Sequence, residues 1–198
     1  MVTDGPAPPP AWYEADDLAG FEAWCRALVS RGVKDRRSPF HTPSLATVDE
    51  AGRPDIRTLV LRGFEPVKMT LRFHTDRRAA KVAQLAGRPE VAVHFYDAAR
   101  KLQLRCAGRA VVPPEPDGRT DAAWEATQSF SRECYRVEPP PGSRLAAGGG
   151  YAWPDRTDEG RKNFAVLLVE LHRVEALYLA HQGHRRATFG AERTWLVP

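Results

Sequence analysis

Hydrophobic residues change their spacing several times along the chain, and each change predicts an element. From Asp17, DLAGFEAWCRALVSRG places Leu18, Phe21, Trp24, Cys25, Leu28 and Val29 on one side of a helix, with Asp17 as its cap and Gly32 as its stop. The period then falls toward two. Ser44–Val48 and Asp55–Arg62 predict strands joined by the turn-rich DEAGRP, and a third strand is expected over Lys68–His74. Val82, Leu85 and Ala86 restore a helical spacing, which predicts a short helix over Arg78–Ala86. Val91–Tyr96 and Lys101–Val112 predict a second hairpin. A helix is expected over Arg119–Ser131 through Ala122, Trp124, Ala126 and Phe130. Strands over Phe164–Leu171 and Arg173–Leu179 follow, and HRRATFG and TWLVP add two more.

Two stretches escape this patterning. Residues 1–15 carry Pro6, Pro8, Pro9 and Pro10, which predicts a disordered or loosely packed lead. The stretch 138–163 is rich in Pro and Gly and predicts a long loop or flap within a single domain over 16–198. Many short antiparallel strands with few helices predict a mainly β fold, a barrel with peripheral helices.

Composition narrows the setting. At 198 residues, 42% hydrophobic and 27% charged, the chain is long enough to bury a core. No run of 18 apolar residues offers a membrane span, and the Pro-rich acidic start lacks the features of a signal peptide. A cytoplasmic location is the expectation. Cys25, Cys106 and Cys134 are scattered and odd in number, which argues for reduced thiols. The net charge of +4 is carried mostly by Arg dispersed among Asp and Glu, so no nucleic-acid-binding stripe forms.

Familiar catalytic signatures are missing: no G-x-G-x-x-G, P-loop, G-x-S-x-G, H-E-x-x-H or C-x-x-C occurs. His181 and His184 in HQGH lack further ligands at metal spacing and suit a surface turn, so no metal is expected. The chemistry concentrates instead at RFHTDRRAAK, where a strand becomes a helix. A helix N-terminus attracts anions. Thr75 offers a hydroxyl, Arg78 and Lys81 lie in the first turns, and Asp76 can cap the helix. Together they could hold a monophosphate, each charge-assisted bond contributing about 1.5–3 kcal/mol. A capped surface helix with solvated arginines would read the same. In IRTLVLRGF, alternation puts Arg57, Leu59 and Leu61 on one face and Thr58, Val60 and Arg62 on the other. An Arg within such a strand needs an anion, unless it reaches the rim or pairs with Asp or Glu. Gln103 places an amide within a hairpin strand.

The ordered set SLATVDEAGRPDIRTLVLRGF, LRFHTDRRAAK and VAVHFYDAARKLQLRCAGRAV resembles the pyridoxamine 5′-phosphate oxidase family of FMN-binding split barrels. The resemblance covers residues 40–112 and resumes in VELHRVEALYL and TWLVP; within the family it is closest to an oxidase-like, FMN-binding subgroup. It implies an antiparallel, Greek-key-like split β-barrel with FMN as cofactor. By the same resemblance, Arg57, Thr58, Leu59 and Val60 lie along the flavin, with Arg57 on its phosphate or ribityl side. Arg62 stands where a Lys faces flavin and substrate. His74 and Thr75 match an aromatic–Thr pair that touches FMN, Lys81 matches the phosphate lysine, and Gln103 matches a glutamine at the isoalloxazine edge.

The chain departs from the family at the helix start, where Ser-Arg-Lys is replaced by Ala79, Ala80 and Lys81; Arg78 is the candidate substitute. The oxidases' Arg-x-His-Asp-Arg run is also absent. His184, Arg185 and Arg186, together with Arg132 and Arg62, are the candidate substrate cations. The implied activity is an FMN-dependent oxidoreductase taking a hydride onto flavin N5 from a small amine or alcohol, phosphorylated or not. Arg62 and Gln103 are the candidates to stabilise the charge that develops near N1 and O2. No side chain is assigned as a catalytic acid or base. The alternatives are an NAD(P)H-dependent flavin reductase or flavin carrier, and a non-enzymatic FMN-binding protein. A homodimer with FMN at the subunit interface is also implied, with 138–163 and the HRR run in reach of the partner's flavin.

Overall fold

Nine antiparallel strands form one sheet in the order β2-β1-β5-β6-β7-β4-β3, with β8 added to β7 and β9 to β8. The computed structural model describes residues 10–149 and 158–198. The strands are β1 (Ser44–Val48), β2 (Pro54–Thr58), β3 (Leu61–Glu65), β4 (Thr70–Asp76), β5 (Glu90–Asp97), β6 (Leu102–Val111), β7 (Phe164–Tyr178), β8 (Arg185–Gly190) and β9 (Thr194–Leu196). The helices are α1 (Ala11–Glu14), α2 (Leu18–Lys34), α3 (Ala80–Gly87), α4 (Gly118–Glu125) and α5 (Ser129–Arg132).

The run Asp55–Arg62, expected as one strand, is two. Thr58 pairs with Ser44 on β1, whereas Leu61 pairs with Phe73 on β4, at the other end of the sheet order. The Leu59 N–H donates to Pro43 O at 2.9 Å and closes the first ladder. The continuous apolar run Leu59, Val60 and Leu61 hid this crossing. Conversely, two expected strands merge into the 15-residue β7. Its first half pairs with β4, its second half with β8, and β6 lies along the opposite edge. The register shifts after Ala107, where Gly108 pairs with Leu171; a Cβ on Gly108 would stand 2.5 Å from Glu170 O. Polar His172 and Arg173 therefore mark a shift within one strand.

Helices were displaced in informative ways. Asp17 caps α2 by accepting from the Ala19 N–H, but α2 runs past Gly32 to Lys34. Gly32 permits a close approach: a Cβ there would meet Phe40 O at 2.7 Å. The helix expected over Arg119–Ser131 breaks into α4 and α5, because Arg132 turns back and donates to Glu125 O and Thr127 O. Of the lead expected to be loose, residues 1–9 lie outside the described residues, and the rest is ordered. Trp12 and Tyr13 of α1 are buried, and Trp12 stacks on Phe21 at 4.2 Å. Within the expected flap, 150–157 lie outside the described residues, and Asp158–Asn163 forms a 3-10 turn.

Alternation along the strands sends Leu45, Leu61, Phe73, Val93, Phe95 and Leu104 into one core beneath α2. Ala123, Trp124, Phe164 and Val166 form a second, smaller cluster under α4. Among the described residues no helix is long and apolar enough to cross a membrane.

Candidate functional site

Four elements, β1, β2, α3 and β4, bring basic and hydroxyl side chains together. Arg57 on β2 stands opposite buried Leu45 of β1, so it shares the inward face with Thr47. Its Nη1 donates to Thr47 Oγ1 at 2.6 Å, and its Nη2 donates to Gln84 Oε1 of α3 at 3.2 Å. Lys81, one turn before Gln84, donates to Thr75 Oγ1 of β4 at 3.2 Å. Burial first, and then the nearby Arg57 charge, hold the Lys81 ammonium below the usual lysine range, against the pull of Asp76 and Asp55. Two cations so placed favour an anion between them.

The helix begins later than its sequence implied. Arg78 lies before α3, whose cap position is Ala79 with no side-chain cap. Asp76 does not cap the helix; it accepts from the Arg78 backbone N–H at 2.8 Å. The Arg78 guanidinium is committed to Asp76 (Nε–Oδ1 3.0 Å, Nη2–Oδ2 2.8 Å) and to Val137 O (3.0 Å). Arg78 thus ties the β4–α3 junction to the segment after α5 and does not supply the missing helix-start cation.

A second group lies across β4 from Thr75. His74 projects to the opposite face of the strand, with Phe164 edge-on to its ring at 4.8 Å and Arg62 and Arg72 near enough to act on its charge. Tyr135 packs against the same Phe164 at 4.9 Å, and burial pushes its hydroxyl above the usual tyrosine value. The buried His74 Nε2 has no hydrogen-bond partner within the protein. An orphaned ring nitrogen beside two arginines suits a ligand that brings its own polar atom.

The imidazole pKa is lowered to about 4, by burial first and then by Arg62 and Arg72. An unfolded chain protonates His74 near 6.5, and the folded chain only near 4, so the unfolded state takes the proton first. This stability is complete above the unfolded value and is lost as pH falls through the folded one. Its ceiling is about 3 kcal/mol. Urea unfolding at neutral and acid pH is expected to show a smaller acid-induced loss in His74→Gln than in the wild type. Equal losses would contradict the assignment.

A third group lies on the outward face of the sheet, the side that His74 also takes. Gln103 pairs with exposed Tyr96 and sits 3.3 Å from His94 Nε2, on the outward face of β5 and β6. Thr58 shares that face, while Leu59 and Val60 occupy the crossing between β2 and β3. Arg186 lies in the same cross-strand row as Gln103 and Leu177, with its guanidinium on Glu175 at 2.7 Å. The other expected substrate cations are dispersed. Arg132 caps α4 and lies over the Trp124 ring at 4.9 Å. Arg185 covers Tyr13 at 4.5 Å and pairs with Asp16, and His184 Nδ1 meets Ala180 O at 3.0 Å. They form no single cluster in one chain.

The sequence reading missed Thr47, Gln84, Asp55 and Tyr135. Gln84 had a usable signal, three residues after Lys81 and therefore on the same helix face. Thr47 had a weaker one, a hydroxyl at a buried strand position. Tyr135 lies in irregular chain and had none. Among the described residues no cluster of metal ligands occurs.

Comparison with known proteins bears on the family and the fold. The family model described as "Pyridoxamine 5′-phosphate oxidase, FMN-binding domain" matches residues 21–114. The pyridoxine/pyridoxamine 5′-phosphate oxidase of Pseudomonas fluorescens SBW25 is 40% identical over 126 residues, 58% of this chain and 56% of the relative. That of Ectopseudomonas mendocina is 43% identical over the same shares. The chain spans about half the length of these curated relatives. Among solved structures, a pyridoxamine 5′-phosphate oxidase-related, FMN binding protein from Nostoc punctiforme superposes with a TM-score of 0.68 at 26% identity, covering 96% of this chain and 100% of the other. PhzG from Burkholderia lata, in complex with tetrahydrophenazine-1-carboxylic acid, gives 0.74 at 18% identity over 98% and 100%, a likeness of fold alone.

Proposed function

Because the chain belongs to the pyridoxamine 5′-phosphate oxidase-like family of FMN-binding split barrels, we propose that it is an FMN-dependent oxidoreductase acting on a small amine or alcohol. The observation that carries this reading is the meeting of Arg57, Thr75 and Lys81 at one mouth, with Lys81 held below its ordinary range by burial and by Arg57. These residues fit a phosphate. Lys81 would supply the principal charge, Thr75 a hydroxyl, and α3 an N-terminus that no side chain caps. Leu59 and Val60, at the crossing between two strands, would line the cofactor's apolar flank. Bound FMN supplies a hydride acceptor that the side chains lack. Arg62 and Gln103 would stabilise negative charge on the ring, and the aromatic wall of Phe164 and Tyr135 would keep water away from the reacting side.

Gln103 and the aromatic wall at Phe164 lie on the sheet face opposite Thr75 and Lys81, and this reading draws the two faces of one site from two chains. The same reading therefore includes a homodimer with FMN at the interface and Gln103 serving the partner's cofactor. It also includes a cytoplasmic setting, where the free Cys25, Cys106 and Cys134 stay reduced.

The engagement of Arg132, Arg185 and Arg186 within their own chain favours a second reading, a flavin reductase or carrier using NAD(P)H. One experiment separates the readings. The purified protein, reconstituted with FMN, is expected to retain the flavin absorption band through gel filtration. Under anaerobic conditions a primary-amine donor such as pyridoxamine 5′-phosphate is expected to bleach that band. Bleaching by NADPH alone would favour the second reading, and a protein that emerges colourless would overturn both.

A further inference from the structure

Arg57 has more partners than an anion-binding arginine needs. Its Nη1 donates to Thr47 Oγ1 (2.6 Å) and Leu45 O (3.4 Å), and its Nη2 to Gln84 Oε1 (3.2 Å) and Asp55 Oδ2. Gln84 completes a ring: its Nε2 donates to the same Asp55 oxygen at 3.0 Å, and its Oε1 accepts from Thr47 Oγ1 at 2.6 Å. A guanidinium has five N–H donors, and this ring engages the two terminal nitrogens that carry four of them. Lys81, by contrast, has no carboxylate within ion-pair distance among the described residues.

Asp55 therefore supplies the negative charge that Arg57 faces within the chain. It lies two residues before Arg57 on the same face of β2, an edge strand, with its side chain 46% exposed against 19% for Arg57. The Gln84 amide first, and the Arg57 charge after it, hold its carboxyl below the usual carboxylate range. A carboxylate at an edge can leave its partner for water at little cost. The guanidinium, enclosed by β1 and α3, cannot leave as readily.

We propose that Asp55 is a built-in competitor for the phosphate: Arg57 exchanges Asp55 for the ligand's phosphate on binding, and Gln84 holds the carboxylate ready to take the guanidinium back. Thr47 and Gln84 are positioning residues in this exchange, aiming the fork between Asp55 and Lys81. Phosphate recognition is thereby weakened, and the flavin is exchangeable instead of permanently held. Loss of a guanidinium and a hydroxyl at Ala80 and Ala79 works in the same direction. This inference rests on the reading that the Lys81 mouth takes the phosphate of FMN.

The test compares FMN, riboflavin and inorganic phosphate by titration calorimetry on the full chain. Its variants are Asp55→Asn, which keeps an acceptor for Gln84 but removes the charge, and Asp49→Asn as a charge control. Asp49 is bound to Arg53 and does not touch Arg57. Asp55→Asn is expected to bind FMN about tenfold more tightly, the scale of one charge-assisted hydrogen bond released. Inorganic phosphate should gain likewise. Riboflavin binding and Asp49→Asn are expected to stay at wild-type values. If Asp55→Asn lacks the wild-type circular dichroism, Asp55→Ser takes its place with the same readouts. The proposal fails if FMN binding is unchanged or weaker, if riboflavin gains equally, or if Asp49→Asn produces the same gain. Should neither the wild type nor the variant bind FMN or phosphate, the phosphate mouth itself fails, and this proposal with it.

Discussion

Replacing Lys81 with alanine is expected to weaken FMN binding by about 1.5–3 kcal/mol, roughly ten- to a hundredfold, with riboflavin binding nearly unchanged. Lys81→Glu should go further, since it sets a carboxylate against the phosphate. The difference between the two flavins isolates the phosphate contact from ring stacking and from any loss of fold. Arg57→Ala is expected to cost less than Lys81→Ala, because Arg57 spends part of its charge on Asp55. The pH dependence has a definite sign. Lys81 loses its proton below the usual lysine range, so FMN affinity is full at neutral pH and declines on the alkaline side earlier than an ordinary lysine would cause. Equilibrium dialysis of FMN and riboflavin across alkaline pH checks this. Equal weakening of both flavins by Lys81→Ala would remove Lys81 from the phosphate site.

The sequence singled out Arg57 and Lys81 because their types needed an explanation: arginine within an apolar strand run and lysine opening a helix. Element types were legible for a related reason. Phe21, Cys25 and Val29 repeat with the helical period, and Val91, Val93 and Phe95 with the strand period, so α2 and β5 could be read directly. What escaped was whatever register decides. Leu59, Val60 and Leu61 form a continuous apolar run, yet the residues before it pair with β1 and Leu61 pairs with β4. Only the three-dimensional path distinguishes a long strand from two short ones that bridge the sheet's ends.

The partners of charged groups were similarly hidden. Arg57 and Arg78 look alike in sequence, as basic residues near acidic ones. In the structure Arg78 closes a bidentate pair with Asp76, only 8% exposed at its side chain, and fastens a loop. Arg57 sits in a hydrogen-bonded ring at an edge strand, with a half-exposed carboxylate as its ion-pair partner. Burial of the carboxylate separates a structural arginine from one that can serve a ligand, and burial depends on contacts between distant segments. Gln103 poses the same problem on the scale of the sheet: strand parity puts its side chain opposite to Arg57, which no motif could show.

Under the proposed homodimer with FMN at its interface, Ala92→Arg is expected to leave a monomer that does not retain flavin, with the fold intact. Ile56, Ala46, Ala92 and Ala107 stand in one cross-strand row over β2, β1, β5 and β6, on the outward face shared by Gln103. The row pairs three small side chains with Ile56, which is 67% exposed. A flat apolar row of this kind lets a second copy approach closely, and its ends at β2 leave an unpaired edge to cover. An arginine at its centre would add length and charge where two copies meet. In a single chain the same arginine would point into water, and exposed substitutions usually change stability by no more than about 0.5 kcal/mol. Val67→Arg serves as control, since Val67 is 92% exposed in the turn between β3 and β4. Sedimentation velocity with absorbance at the flavin band reads assembly and cofactor together. If Ala92→Arg still sediments as a flavin-loaded dimer, the copies meet elsewhere, and Gln103 cannot reach a flavin held by Lys81 across this face.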